Sequence, residues 1–452
     1  MLHVQAAVRG AVVAATVVAV ATVPLAAGAP AQEPAATRVP IASFTPLPAT
    51  DPADVDPDVA ALRDELIGPS WRDPDTVSLS WVGVSSFIGA VRGHVFLFDA
   101  WEIIGAVEDY LPIGREELAA LAPEAIMVGH GHFDHAGDLG YVAGLAGSVV
   151  VGSEEHCVVA EEGATREGVG LDFTCAVTGT ASTPAAGELQ QLRLWEDVAP
   201  VTIMRHVHSA ARPPSEDNRP DPFVPVMDPQ PYLDHLAGDP EELGRFLAQQ
   251  DESNEGGVWL YHLAVDDFTL LWGNSAGPVF EAPEVTAALD TFPGCVDVMS
   301  NAILGFDQPV SGLQDPRLYI EAVHPAVFLP SHADAWAPVI SAGQAQYVDE
   351  FTAQMALLED PPEVDFLLDP EDYLVTRTWD VTDPRWSVPP PGSSCATAAG
   401  GGGGIAAPAP DDDDATAGAT DDRGGLPATG GGLALAAGAA LAGGVLAGRR
   451  RN

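Results

Sequence analysis

Residues 125–151 read AIMVGHGHFDHAGDLGYVAGLAGSVVV, and the order of residue types within them decides the fold. A short apolar run at 125–128 has the content of a buried strand. It enters HGHFDH at residues 130–135, which holds three of the chain's 12 histidines and one aspartate. Residues 138–146 then have helical character and end near Gly147, and 149–151 form another apolar strand. Strand, polar loop, helix, strand is the order of an α/β protein. In an extended segment residues two apart face the same way, so His130 and His132 can converge on one cation, while Gly129 and Gly131 let the backbone bend tightly. Asp134 and His135 lie at the turn into the next helix, placed to face a second cation or a water. Imidazole and carboxylate suit zinc, and also manganese or iron.

HGHFDH, with an apolar strand before it and a helix after it, resembles the HxHxDH signature of the metallo-β-lactamase superfamily. The resemblance covers residues 77–373. It implies an α/β fold of the αβ/βα sandwich type, two central mixed sheets flanked by helices, with metals in a cleft at one edge of the sheets. It also implies ligands downstream. In VTIMRHVHSA it points to His208, which Ser209 follows, with His206 as the alternative or as a partner of a ligand. In AVFLPSHADAW it points to His332, with Asp334 orienting it or touching substrate. The metal set implied is therefore His130, His132, Asp134, His135, His208 and His332. A bridging aspartate belongs at the end of FTLLWGNSAGP, where this chain has Asn274; Asp266 and Asp267 are the carboxylates near enough in sequence to replace it. Asp99, which ends HVFLFD, matches a family aspartate beside the site. Trp101 and Trp336 wall the pocket or pack the core, and His94, His156, His235, His262 and His324 match no ligand.

The function this implies is hydrolysis of an ester, lactone, amide or phosphodiester by a metal-bound hydroxide, with Asp134 as the catalytic carboxylate. One or two divalent cations are implied, Zn2+ first, with Mn2+ or Fe2+ as alternatives. A neutral carboxamide at 274 brings no charge, so the resemblance also allows a surface binding protein that keeps the fold and one metal without turnover. A metal-dependent oxidoreductase is a smaller rival.

Around this centre, residues 77–101 (VSLSWVGVSSFIGAVRGHVFLFDAW) read as two strands turned by Arg92-Gly93. Residues 115–121 and 346–358 read as helices, and 201–207, 258–264, 268–272, 296–299 and 326–329 as strands. Residues 210–257, rich in proline and acid, break the rhythm and read as an insertion or lid containing a helix at 239–249. Cys157, Cys175, Cys295 and Cys395 allow three pairings, and local closure favours Cys157 with Cys175, leaving Cys295 with Cys395.

The two ends read as addresses. Arg9 and an apolar run at 11–27 before small-residue triplets form a secretory signal, cut after Ala31. LPATG at residues 426–430, an apolar stretch to Gly448 and Arg449, Arg450 and Arg451 are similar to a Gram-positive sortase signal, which implies sortase and peptidoglycan as partners. On that reading the precursor touches the membrane only through its C-terminal apolar segment. The organisation expected is a signal at 1–31, an N-terminal extension at 32–76, the catalytic domain at 77–395, a disordered stalk at 396–425 and the sorting signal at 426–452. Across the 452 residues, 65 acidic side chains face 19 basic ones, all arginine, for a formal charge of −46. That field repels phosphate backbones and excludes nucleic acid as a partner. The substrate expected is a small or wall-associated molecule.

Overall fold

Twice along the body the chain lays down antiparallel strands first and parallel strands after. The computed structural model describes residues 35–104, 110–209, 230–290, 292, 296–305, 313–335 and 343–388; the expected signal, stalk and sorting segments, and Cys295, Trp336 and Cys395, lie outside them. The first half begins with strand β1 (Thr37–Pro40) and helix α1 (Pro57–Ile67), then β2 (Thr76–Trp81), β3 (Phe87–Val91) and β4 (His94–Phe98). Residues 77–101 thus give three strands rather than two, because residues 82–86 turn the chain between β2 and β3. At the β3–β4 hairpin Arg92 (φ 49°) and Gly93 (φ 87°) are both left-handed, as a tight two-residue turn requires. After α2 (Arg115–Ala120) come β5 (Ala125–Met127), α3 (Phe133–Ala136), α4 (Leu139–Ala146), β6 (Val149–Gly152), α5 (Glu154–Glu167) and β7 (Thr174–Val177).

The second half repeats the plan. β8 (Leu189–Leu192) and β9 (Val201–His206) precede α6 (Gln230–Gly238) and α7 (Pro240–Glu252). β10 (Val258–Val265), β11 (Phe268–Trp272), α8 (Pro283–Asp290), β12 (Val298–Ala302), α9 (Gln314–Val323), β13 (Val327–Ser331), α10 (Val348–Met355) and β14 (Glu363–Val364) follow. β15 (Arg377–Asp380) returns to the first sheet. The sheet orders are β1-β7-β6-β5-β4-β3-β2-β15 and β14-β13-β12-β11-β10-β9-β8, both mixed. The expected fold class is therefore observed: an α/β sandwich of two mixed sheets with helices outside.

Period-two alternation explains the layering. In β3 and β4, Phe87, Phe96 and Phe98 point between the sheets, towards Trp259, Tyr261 and Trp272 of the other sheet. Ile88 and Leu97 point outward, onto apolar residues of α1, α2, α4 and α5. The second sheet's outer face, Leu260, Leu271 and Phe328, is covered from α8, α9 and α10. With both faces covered, the strands are buried throughout, which is why they read as continuous apolar runs. Phe98 stacks on Trp272 at 4.4 Å, and each such large side chain stabilises by about 2–3 kcal/mol on burial.

Two expectations are corrected. Residues 36–76 are not an appended extension: β1 lies parallel to β7 at the sheet's edge, and α1 packs on its outer face. Cys157 and Cys175 are two buried thiols, not a disulfide. The Cys157 thiol, hydrogen-bonded to Cys175 and buried, is pushed far above its ordinary range. Among the described residues no helix is long and apolar enough to cross a membrane.

Candidate metal centre

The loop that carries HGHFDH leaves β5 at the end of the first sheet and is clamped from both sides. Gly129 N–H donates to Asp99 Oδ1 at 2.9 Å, and Gly129 O accepts from Trp259 N–H at 2.8 Å. Gly131 N–H donates to Glu255 O at 2.8 Å, and Gly131 O accepts from Asn254 N–H at 3.1 Å. The two glycines are needed for close approach rather than for unusual torsions. A Cβ at 129 would sit 2.2 Å from Asn274 Cγ, and one at 131 would sit 2.2 Å from Asn254 O. His132 then starts α3, its carbonyl accepting from the N–H of His135 and of Ala136, and this single turn carries Asp134 and His135 on to a second group of ligands. His208 lies just beyond the end of β9. His332 lies just beyond β13 in a left-handed conformation (φ 64°), its N–H donating to Val84 O at 2.7 Å.

The structure brings all six sequence-derived ligands together, as two trios: His130, His132 and His208, and Asp134, His135 and His332. In the first, His130 Nε2 lies 3.1 Å from His132 Nδ1 and 3.1 Å from His208 Nε2. In the second, His332 Nε2 lies 3.2 Å from His135 Nε2 and 3.3 Å from Asp134 Oδ2, and His135 Nε2 lies 3.5 Å from that oxygen. Tetrahedral zinc with nitrogen donors at its usual bond length would set such edges at about 3.3 Å.

Proton positions follow from the outer partners. His208 Nδ1 is 2.7 Å from the carbonyl of Ser209, which only accepts, so Nδ1 carries the proton and Nε2 is bare. Asp99 Oδ2 is 2.8 Å from His135 Nδ1 and 2.8 Å from Asn274 Nδ2. A carboxylate only accepts, so His135 Nδ1 carries a proton and the Asn274 amide turns its Oδ1 to His130 Nδ1, at 2.9 Å. His130 Nε2 is then bare as well. Two unprotonated nitrogens, of His130 and His208, face each other at 3.1 Å, an arrangement that repels unless a cation lies between them. The residues present fit a divalent metal.

Charge states agree. Burial, then the neighbouring His208, lowers His132 to about 3; burial, then His135, holds His130 well below its ordinary value; burial lowers His208. All three are neutral donors near neutral pH. Burial pushes Asp134 up, but the imidazoles of His135 and His332 outweigh it and hold it below the usual carboxylate range. Burial pulls His135 down, while Asp134 and Asp99 more than offset it.

Other sequence candidates fall outside the trios. His206, buried and lowered to about 3 by burial, meets the Tyr319 hydroxyl at 2.8 Å through Nδ1. Asp266 pairs with Arg92, and Asp267 accepts from Ser387, so neither carboxylate replaces a bridge at 274. Asp334 Oδ2 accepts from Val84 N–H (2.9 Å) and the Tyr373 hydroxyl (2.7 Å); burial, then Asp369, pushes it up to about 7. It thereby ties the Val84 turn to the loop of His332. Trp101 meets Phe133 edge-on and donates to Gln249 Oε1. The described part of the 210–257 segment covers this wall: Leu236 and Phe246 pack with Trp101, Ile104 and Phe133.

Several contributors were missed by sequence reasoning. Ser85 donates to Asp99 and His156 Nε2 donates to Glu255 O; these residues support the centre without bearing a motif. A signal lay in Gly129 and Gly131, whose missing side chains imply neighbours pressed against the loop.

No protein-family model matches the chain. A UPF0173 metal-dependent hydrolase of Pyrobaculum neutrophilum is 34% identical over 88 residues, 19% of this chain and 37% of that protein. One of Cereibacter sphaeroides is 31% identical over 102 residues, 23% of this chain and 43% of that one. The chain thus spans about two fifths of the length of these relatives. Among solved structures, Igni18, a metallo hydrolase from Ignicoccus hospitalis, aligns with 67% of this chain and 98% of its own at 17% identity and a TM-score of 0.41. The metallo-β-lactamase fold protein YhfI of Bacillus subtilis covers 68% of this chain and 99% of its own at 11% identity and a TM-score of 0.37. In sequence the chain is similar, over about a fifth of its length, to proteins named metal-dependent hydrolases, and its αβ/βα sandwich is the arrangement expected of the metallo-β-lactamase superfamily.

Proposed function

We propose that this chain is a metal-dependent hydrolase of an ester, lactone, amide or phosphodiester, displayed on the cell surface. The observation that carries the reading is the pair of bare nitrogens of His130 and His208 at 3.1 Å, each fixed by an acceptor on the ring's far side. His130, His132 and His208 would hold one divalent cation, and Asp134, His135 and His332 a second, Zn2+ being the metal this donor set suits best. When bound, such cations supply Lewis acidity and lower the pKa of water towards about 7.

The chain's own residues do the rest. His135 and His332 keep Asp134 ionised, so the carboxylate oxygen not turned to them is available to accept a proton from a nucleophile and to return it to a leaving group. Asp99 holds the ring of His135 and the Gly129 backbone in one orientation, which removes reorganisation from the reaction. Phe133, half-buried and between His132 and Asp134 in sequence, packs edge-on against Trp101 and Phe246 and so anchors the ligand turn.

The test is metal content and turnover of the same preparations. Metal-stripped protein given Zn2+, Mn2+ or Fe2+ should retain cation through gel filtration and hydrolyse at least one of an ester, lactone, amide and phosphodiester panel, with both properties lost in His132→Ala. Retained cation with no turnover on any class would favour the surface binding protein instead. Failure to retain any cation would overturn the reading altogether. The surface address rests on the signal-like N-terminus and LPATG. Wall digestion should release the protein, and replacing Leu426 and Pro427 by alanine should shed it into the medium.

A further inference from the structure

We propose that Asn274 is a positioning residue that fixes the proton of His130 and ties the two trios together, not a ligand or a vestige of one. The inference rests on the reading of the trios as metal sites. Asn274 follows β11 and is 1% exposed, wedged under Gly129 where no side chain is tolerated. Its two polar ends face groups of opposite character. Oδ1 accepts from His130 Nδ1 at 2.9 Å, and Nδ2 donates to Asp99 Oδ2 at 2.8 Å. Asp99, also 1% exposed, accepts further from Gly129 N–H, the Ser85 hydroxyl and His135 Nδ1. One buried chain, His135–Asp99–Asn274–His130, therefore reaches a ligand in each trio through its Nδ1 and leaves its Nε2 turned to the trio.

A carboxamide offers a donor and an acceptor from one planar group whatever the pH, which an ionised carboxylate does not. An aspartate would set a second buried carboxylate against Asp99 and remove a donor from it. An alanine would leave His130 Nδ1 and Asp99 Oδ2 short of a partner, freeing the His130 ring to turn or to carry its proton on Nε2, where it blocks a cation. The absence of a charge at 274 then has a reason: the carboxylate that serves both trios is Asp99, one step further out, and the amide relays it.

Zn2+ titrated calorimetrically into metal-free wild type, Asn274→Ala and Asn274→Asp, with ring 1H–15N correlations of the histidines, tests this. Both variants should bind the first cation about 10- to 100-fold more weakly. His130 should show its proton on Nδ1 in the wild type and lose that signature in Asn274→Ala. Tighter binding by Asn274→Asp would show the position to be a vacated ligand, and unchanged affinity in Asn274→Ala would show it to be filler; either overturns the proposal. Should the variants not fold, the wild-type ring spectrum decides, since a His130 proton on Nε2 contradicts the scheme. A wild type that retains none of Zn2+, Mn2+ and Fe2+ yet keeps the His130 proton on Nδ1 would sink the hydrolase reading while leaving the placement of that proton by Asn274 standing.

Discussion

Strand β4 has a buried histidine site at each end, and the two are opposites. At its start, His94 is fully buried, with Nδ1 donating to Glu124 Oε2 at 2.6 Å and Nε2 donating to Asp197 Oδ1 at 2.8 Å, while the ring stacks on Trp195. Just past its end, Asp99 organises the trios, where His130 is 2% exposed but has one nitrogen on an amide and the other on fellow imidazoles. Burial is the same; the partner of the second nitrogen differs. At His94 burial pulls the ring down, but the two carboxylates outweigh it and raise it, giving a closed imidazolium that joins the two sheets. At His130 burial, with His135, lowers the ring, leaving an uncharged donor with an open face. A histidine saturated by protein acceptors is architecture; one whose second nitrogen faces another bare imidazole nitrogen, as His130 faces His208, is built for a cation.

The hardest way to break the comparison is to delete one histidine at each end. His132→Ala should cost the first cation and lower kcat/KM on the order of 10^3-fold, about 4 kcal/mol, as elemental analysis and kinetics would show. His94→Leu should leave metal content and kcat/KM within about twofold yet cost on the order of 2–3 kcal/mol in urea unfolding. That lies below the full penalty of a sealed ion pair because Glu124 and Asp197 keep 20% and 32% exposure and can turn to water. Loss of metal in His94→Leu would mean that the ends are coupled through β4.

The ligand trios were partly legible because HGHFDH is local: strand, ligand spacing and turn lie within residues 125–136. His208 against His206 was harder, since alternation puts both on one face of a strand. The strand stops at His206, which pairs with Val258 and turns to Tyr319; alternation no longer governs residue 208 beyond it. Asn274 was legible as a departure but not as a connector, because a sequence shows a carboxamide and not the direction of its two ends. Helix α5 carried no readable apolar stripe. Its buried residues are His156, Cys157, Val159, Ala160, Gly163 and Ala164, mostly small because α4 lies against it so closely that a Cβ at Gly140 would come within 2.0 Å of Ala160 O. The same closeness that makes the packing good removes the large residues by which periodicity is seen.

Acidity and alkalinity should separate the two ends. Unfolded histidine titrates near 6.5. His130, His132, His206 and His208 are lowered in the fold, so below about 6.5 the unfolded chain takes up protons that the native one refuses, and metal-free stability should fall with pH by up to about 1.4 kcal/mol per unit per histidine. His94 is raised, so its contribution is complete below about 6.5 and lost as pH climbs through its folded value. Urea unfolding of metal-free protein from about pH 5 to about pH 9 should show both limbs, and His94→Gln should flatten the alkaline one in part, the remainder belonging to His135, which is also raised. An alkaline limb left unchanged in His94→Gln would assign all of it to other groups.

The smallest effect is expected at Gln249, which tests where the metal centre ends. This 2% exposed side chain of α7 accepts from Trp101 Nε1 at 3.0 Å and donates to Asp138 Oδ1 at 3.0 Å, three residues beyond His135. Asp138, pushed up to about 6 by burial, is also held by the N–H of Glu102. Gln249→Ala removes one of its donors and strands the indole, a loss of about 1 kcal/mol in unfolding. No ligand loses its outer partner, so zinc affinity should stay within about twofold, as at His94. A larger drop in zinc affinity would mean that α7, through Asn254 and Glu255 on the Gly131 backbone, presses the ligand loop into shape. The described half of the 210–257 segment would then belong to the metal centre rather than to its cover.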